Sequence, residues 1–267
     1  MLKSDLDLVI VIPVFNEEDV ILEVVKQWLK VINKIKADLL VINDGSTDNT
    51  LKLLRHISSK KLKVINIKNS GHGKALLKGY AEALKLNPFY IFQVDSDNQF
   101  SIKNFGKFWK NREKFDFQYG YRFNRKDPIT RLIISRILRY LLFLTFSTYI
   151  IDSNVPYRLM RSSLLKKILT KKFISKNIPN IFVSIYFCKF YRSKHYTVIH
   201  KERKSGLVWI VKFKLLKFCF QSLFDLCKLT PKTLEELNNF LVFTSQNKKE
   251  LTETETLINN MKKDFES

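Results

Sequence analysis

The segment Asp95-Ser96-Asp97-Asn98-Gln99 sets two carboxylates one residue apart, directly after the apolar run Phe89 to Val94. Acids on so short a loop can aim at one point and hold a hard divalent cation, with waters and phosphate oxygens completing its shell. The same residues also suit a helix start, since Ser96, Asp97 and Ser101 are good N-caps. The surroundings favour the first reading. Three more polar loops follow apolar runs in the same way: Pro13-Val14-Phe15-Asn16-Glu17-Glu18, Asn43-Asp44-Gly45-Ser46-Thr47-Asp48 and Asn69-Ser70-Gly71-His72-Gly73-Lys74.

The elements that must position these loops are legible in hydrophobic periodicity. Leu8 to Ile12, Leu39 to Ile42, Leu62 to Ile67 and Phe89 to Val94 are short, rich in Val and Ile, and separated by stretches with helical spacing. This is an α/β pattern. Continuous apolar runs mark strands buried on both faces, which predicts a mostly parallel, Rossmann-like sheet flanked by helices, with its ligand beyond the carboxyl ends of the strands. Tyr119-Gly120-Tyr121-Arg122 ends a fifth strand, so Arg122 falls at the same edge. Arg131, Ser135 and Arg139 are spaced four apart and share a helix face that could meet a phosphate. A solvated face is the other reading, and the better one for Arg136 and Arg139.

The chain has 267 residues, 45% of them hydrophobic, with seven glycines and six prolines. That is enough to bury a sizeable core, and it excludes a collagen-like or low-complexity chain. Forty-seven basic and 25 acidic side chains leave a net charge of +22, which selects anionic partners. Residues 129–229 carry 20 basic and three acidic side chains, most of the excess, within a stretch rich in Ile, Leu and Phe. That pairing fits a membrane-surface element better than a groove for duplex nucleic acid, although lysine-rich solvated faces produce the same count. The three cysteines, Cys188, Cys219 and Cys227, are too few and too scattered for a disulfide framework or a metal cage, which points to the cytosolic side. The longest uncharged apolar stretches, Tyr140 to Ile151 and Asn177 to Cys188, are about twelve residues, or roughly 18 Å as helix against a hydrocarbon core of about 30 Å. No transmembrane helix is expected, and residues 1–12 do not read as a signal peptide.

Taken together, Val-Ile-Pro-Val-Phe-Asn-Glu-Glu, Asn-Asp-Gly-Ser-Thr-Asp, Gly-His-Gly-Lys-Ala and Asp-Ser-Asp-Asn-Gln resemble, in order and spacing, the family 2 glycosyltransferases of the GT-A fold. The resemblance covers about residues 7–207 and is closest to the polyprenyl-phosphate sugar transferases, the dolichyl-phosphate mannose synthase group. It implies that Asp95, Asp97 and Gln99 ligate Mg²⁺ or Mn²⁺, that Asp95 also contacts the nucleotide sugar, and that Asp97 is essential to catalysis. Pro13, Phe15 and Glu17 match positions lining the base and ribose, while Asp44 and Ser46 match the loop that reads the base. Phe15 stands where tyrosine is common, which keeps stacking and loses a hydroxyl contact. Asn43 replaces a frequent Asp, so Asp44 alone is carried over. Glu17 and Glu18 also suit first-turn charge on the next helix. Gly71 and Gly73 fit a tight turn as well as donor contact, and His72 and Lys74 fit an exposed surface as well as phosphate.

For the acceptor, the resemblance places its phosphate against Arg122, Arg131, Ser135 and, on a loop after the last strand, Arg203. Asp152 to Arg161 stands where the family has Asp-x-x-Ser-Gly-Phe-Arg, with Pro156 in place of glycine. Asp152 organises nearby arginines or the acceptor, or forms a plain ion pair. Val208 stands where a serine is expected after Arg203 and Gly206. From Leu207 to Leu229 a narrow polar stripe and a wide apolar face describe a basic amphipathic helix at a membrane interface, or one buried against a partner. The expected organisation is a catalytic domain at 1–206, an interfacial helix at 207–229 and a polar helical tail at 230–267.

The expected reaction is inverting, metal-dependent transfer from a nucleoside-diphosphate sugar to a polyprenyl phosphate, at the cytoplasmic face of an anionic membrane by a peripheral enzyme. A glycan hydroxyl is the alternative acceptor; it would require a base, for which Asp152 is the first candidate. A nucleotidyltransferase would need a glycine-rich loop with arginine after the first strand, where Pro-Val-Phe-Asn-Glu stands instead. A nucleic-acid-binding protein would explain the charge but not the acidic loop, so no nucleic-acid partner is expected.

Overall fold

The computed structural model describes residues 6–122, 136, 139, 140, 142, 143, 146, 148–170 and 175–201. The expectations for Arg131, Ser135 and Arg203, for the interfacial helix at 207–229 and for the tail at 230–267 lie outside these residues.

Seven strands form one sheet: β1 Leu8–Val14, β2 Ala37–Asn43, β3 Leu62–Asn66, β4 Tyr90–Val94, β5 Phe117–Arg122, β6 Tyr157–Arg161 and β7 Ser193–Val198. Their spatial order is β3-β2-β1-β4-β6-β5-β7. Strands β1, β2, β3 and β4 pair in parallel, β6 runs antiparallel to both neighbours, and β5 pairs in parallel with β7. The sheet is mostly parallel, and the four strands read from apolar runs are all present. Every residue of β1 and of β4 is buried, as continuous Val and Ile runs require of strands covered on both faces.

Helix α1 (Ile21–Ile32) buries Ile21, Val24, Val25, Trp28 and Ile32, a spacing that keeps one face on the sheet. Its Trp28 ring lies 5.4 Å from Phe92, 5.6 Å from Phe105 and 6.5 Å from Tyr157, so an aromatic cluster fills this side of the core. The short helix α2 (Thr50–Arg55) follows β2, and α4 (Phe105–Lys110) adds Phe105 and Phe108 to the cluster. On the other face lie α3 (His72–Lys85), which buries Ala75, Leu76, Tyr80 and Ala83, and α6 (Pro179–Phe190), while α5 (Ser162–Leu169) follows β6. Residues 179–187 of α6 are buried all round, with Phe187 stacked on Phe117 at 4.8 Å. The apolar stretch at Asn177 to Cys188 is therefore a core helix. Among the described residues no helix is long and apolar enough to cross a membrane.

β6 was not read as a strand, because Tyr-Arg-Leu-Met-Arg puts two arginines in five residues. It is central nonetheless. Since β6 is antiparallel, its entry loop at 152–156 opens on the edge where β1 to β5 and β7 end. Two polar loops from the second half of the chain thus reach the edge already formed by the first.

Phe92 is fully buried at the centre of the aromatic cluster. Phe92→Ala should cost about 3–5 kcal/mol in urea unfolding; a loss below about 1 kcal/mol would contradict this view of the core.

Candidate active site

The loops after β1 and β2 are fastened to each other. The Asn16 amide donates to Ser46 Oγ at 3.0 Å, Thr47 N donates to Asn16 Oδ1 at 2.8 Å, and Glu17 N donates to Thr50 Oγ1 at 2.9 Å. Glu18 Oε2 accepts from both the backbone and the side chain of Asn49, and Asp48 Oδ2 accepts from Glu18 N. Asn16 turns the chain with φ 53°, a left-handed conformation that asparagine tolerates well. Ser46 donates in turn to Asn43 Oδ1 at 2.5 Å, and the buried Asn43 donates to Asn66 Oδ1 at 2.6 Å. Much of this polar sequence thus builds the floor of the site. Pro13 is buried within β1, whereas Phe15 and Glu17 are half-buried on the loop beyond it.

Asp44 turns inward. It is 3% exposed; Oδ1 accepts from Ser70 N at 2.8 Å and Ser70 Oγ at 3.0 Å, and Oδ2 accepts from Gly71 N at 2.9 Å. One carboxylate therefore fixes the loop that opens α3. Gly45 has φ +67°, and a Cβ there would lie 2.6 Å from Asn69 N, so glycine is required where these loops cross. At Gly73 a Cβ would come within 2.3 Å of Lys176 O. The glycine in the first turn of α3 thus serves a close approach of backbone.

Beyond β4, Asn98 has φ 56° and folds the acidic loop back on itself. Gln99 N donates to Asp97 Oδ1 at 3.1 Å, and Gln99 Nε2 donates to Lys201 O at 3.1 Å, which leaves Oε1 as the acceptor end of that amide. Lys201 N donates to Gln99 O, and Phe100 bridges His200, so the segment after β7 lies along the acidic loop. Asp95 Oδ1 is buried with no hydrogen-bond partner; His72 Nε2 stands 3.9 Å away. Burial pushes the Asp95 carboxyl up to about 6, Asp97 adds to the rise, and His72, Arg122 and Arg158 oppose it. A buried, orphaned carboxylate oxygen beside a second acid fits a divalent cation. Among the described residues no three His, Cys, Asp or Glu side chains cluster; Asp95 and Asp97, with Gln99 as the resemblance assigns it, would be the protein donors, with waters or phosphate oxygens beside them.

Arg122, at the end of β5, grips Asp152 with both prongs: Nε to Oδ2 at 2.8 Å and Nη2 to Oδ1 at 2.9 Å. Side-chain exposures of 13% and 7% make this a well-shielded bidentate pair. Sequence reasoning weighed an ion pair for Asp152 but did not name this partner. It also missed the role of Arg158, which is wholly buried in β6. Arg158 donates through Nε to Val155 O, through Nη2 to Ser153 O and through Nη1 to Asn180 O and Ser184 Oγ, so it ties the 152–156 turn to the start of α6. Burial lowers the pKa of this guanidinium. The only sequence signal was the retained arginine of the Asp-to-Arg motif, and a sequence does not report burial.

The Glycosyl transferase family 2 profile matches residues 9–196. The chain belongs to this family. It is a glycosyltransferase with the GT-A fold. An uncharacterised protein of Methanocaldococcus jannaschii is 34% identical over 172 residues, covering 60% of this chain and 73% of that one. An undecaprenyl-phosphate 4-deoxy-4-formamido-L-arabinose transferase of Edwardsiella ictaluri is 26% identical over 239 residues, 86% of this chain and 70% of that one. A UDP-N-acetylglucosamine–dolichyl-phosphate N-acetylglucosaminyltransferase of Methanococcus voltae is 27% identical over 179 residues, 59% and 70% of the two chains. The crystal structure of glucosyl-3-phosphoglycerate synthase from Mycobacterium tuberculosis with Mn²⁺, UDP and glucosyl-3-phosphoglycerate superposes with a TM-score of 0.61 at 14% identity, covering 83% of this chain and 78% of that one. At that identity the likeness concerns the fold.

Arg158→Met would leave the buried carbonyl of Val155 without its donor and remove one of the donors to Ser153 O and Asn180 O, which would keep only Ser184 Oγ among side chains. We expect a loss of about 1–3 kcal/mol in chemical denaturation and faster amide exchange at residues 153–155. Unchanged stability and exchange would contradict the clamp.

Proposed function

We propose that this glycosyltransferase moves a sugar from a nucleoside-diphosphate sugar to a polyprenyl phosphate, with inversion, at the cytoplasmic membrane face. The observation that carries the choice of acceptor is the bidentate contact between Arg122 and Asp152. A hydroxyl acceptor needs a group to take its proton, and both oxygens of the first candidate base are engaged by a guanidinium. A phosphate monoester arrives ionised and needs only to be positioned. The activities for which the Edwardsiella and Methanococcus relatives are named, both on polyprenyl-phosphate acceptors, support the same reading.

In this reading Phe15 and Glu17 line the base and ribose, while Asp44 and Ser46 act from beneath by fixing the loops around them. Asp95, Asp97 and Gln99 hold Mg²⁺ or Mn²⁺. A cation bound there supplies neutralisation of the charge that develops on the departing diphosphate. Arg122, kept in place by Asp152, faces the acceptor phosphate, joined by Arg131, Ser135 and Arg203. An acceptor phosphate oxygen forms the new bond to the anomeric carbon from the side opposite the leaving group, and the bond from that carbon to the diphosphate oxygen breaks with its electron pair. No proton changes hands. The basic stretch at 207–229 lies on the membrane in this scheme.

The test is transfer of labelled sugar from a panel of nucleotide sugars to undecaprenyl or dolichyl phosphate, with Mn²⁺ or Mg²⁺ and with chelator, read by partition into organic solvent. Label should enter the lipid only with metal, and Asp97→Ala should abolish it. Near-normal turnover by that variant would remove the metal assignment; lipid label from no donor would remove the acceptor. Asp152→Asn weakens a charge-assisted pair, so the acceptor KM should rise about tenfold or more with the donor KM unchanged. A selective fall in kcat with loss of the low-pH limb, where protonation of a base slows the wild type, would instead identify Asp152 as a base.

A further inference from the structure

Arg158 is wholly buried, yet among the described residues every group its guanidinium bonds is neutral: Val155 O, Ser153 O, Asn180 O and Ser184 Oγ. The Phe117 ring, 5.8 Å away, adds an apolar neighbour. A buried cation with no carboxylate against it is costly, and an apolar side chain of similar volume would serve stability as well or better. The ionisable groups inside the core do not supply the missing charge. Burial pushes the Tyr80 phenol up, and it pushes the Cys188 thiol up to about 11, so both are neutral. The acids whose charges act on this guanidinium are Asp95 and Asp152, both at the ligand edge. Asp152 is gripped on both oxygens by Arg122.

Strand register shows what lies over Arg158. It stands directly opposite Gln93 in the pairing of β4 with β6, so the two side chains share one face of the sheet. Tyr80 of α3 donates to Gln93 Oε1 on that face, and Gln93 Nε2 is buried with no hydrogen-bond partner. Asp95 follows Gln93 by two residues, the spacing that returns to the same face of a strand. A lone guanidinium and an unused N–H therefore lie beneath the carboxylate whose Oδ1 is itself orphaned.

We propose that Arg158 is a positioning residue that holds a positive potential beneath the ligand edge, with the substrates' phosphates as its counter-charge. It is too deep to touch a ligand. A fixed charge in a water-poor interior acts at longer range than one in water, so it attracts a nucleoside diphosphate from below and opposes a divalent cation that arrives alone. The clamp on the 152–156 turn needs only the donors of the fork; the charge is a second property of the same side chain. The inference deepens the proposed function and rests on it for the phosphates, but it is measured by binding, without acceptor or turnover.

The experiment measures two affinities at pH 8, where protons do not compete for Asp95: Mn²⁺ alone, from the paramagnetic resonance signal of the free ion, and UDP or GDP at saturating Mn²⁺, by calorimetry. R158Q removes the charge and keeps an amide donor. N180D is isosteric and sets a carboxylate beside the guanidinium without disturbing the fork, since Arg158 uses only the backbone oxygen of Asn180. Each variant should bind Mn²⁺ alone about threefold or more tighter than the wild type, and the nucleotide about threefold or more weaker. Opposite signs are the signature, because a loosened turn or a damaged site weakens both. If R158Q fails to fold, N180D is read by itself, with amide exchange at residues 153–155 expected at the wild-type level. Both affinities weakened together in a folded variant, or both unchanged, would overturn the proposal and leave Arg158 a clamp alone. A wild type that binds neither nucleotide would sink the donor reading and this inference with it, whereas a wild type that binds one, matched by its variants, would sink the inference alone.

Discussion

A strand buried on both faces has no polar surface along its length, so whatever chemistry it supports must be placed at its ends. Seven residues of β1 and five of β4 are buried without exception, and helices cover both faces of the sheet. Parallel pairing then brings the carboxyl ends of β1 to β4 to one edge, together with those of β5 and β7. Nearly every polar group discussed above follows from that constraint. Among the described strands only β6 runs the other way; it delivers its entry loop to the same edge, and the fully buried Arg158 holds that loop in place.

At this edge the site separates by charge. Towards β1 and β4 lie Asp95 and Asp97, one of them with a buried oxygen that has no protein donor. Towards β5 lie Arg122 and its carboxylate partner. An acidic half suits a cation that carries a diphosphate, and a basic half suits an anion that arrives by itself. The lock between Arg122 and Asp152 connects the two ideas, because it turns a potential base into a support for a cation. A bidentate fork imposes direction as well as charge, so the guanidinium is ordered before any ligand arrives.

The sheet was legible in the sequence because its parallel strands are continuous Val and Ile runs, a signal that burial on both faces imposes. β6 was not legible, because Arg158 looks solvent-facing in sequence and is wholly buried in the fold, satisfied by the nearby carbonyls of Ser153 and Val155 and by Asn180 O and Ser184 Oγ on α6. In the site, the acidic loop was found from its spacing together with its place after an apolar run beside three other polar loops, and its neighbours from their order. What spacing could not tell was which polar residues face a ligand and which face one another. The resemblance assigns Asp44 and Ser46 to the loop that reads the base, and in the fold Asp44 also accepts from Ser70 and Gly71 and Ser46 from Asn16, hydrogen bonds that run between loops. The Arg122–Asp152 pair joins residues thirty apart, and no local pattern announces it.

The central claim is that the acceptor arrives already ionised, and it is tested most directly by offering one nucleotide sugar with a polyprenyl phosphate and with the polyprenol of equal chain length, under otherwise identical conditions. The account predicts transfer to the phosphate and none above background to the alcohol. Comparable transfer to the alcohol would mean that a base operates at this edge, and would contradict the reading of Asp152 as the support for Arg122.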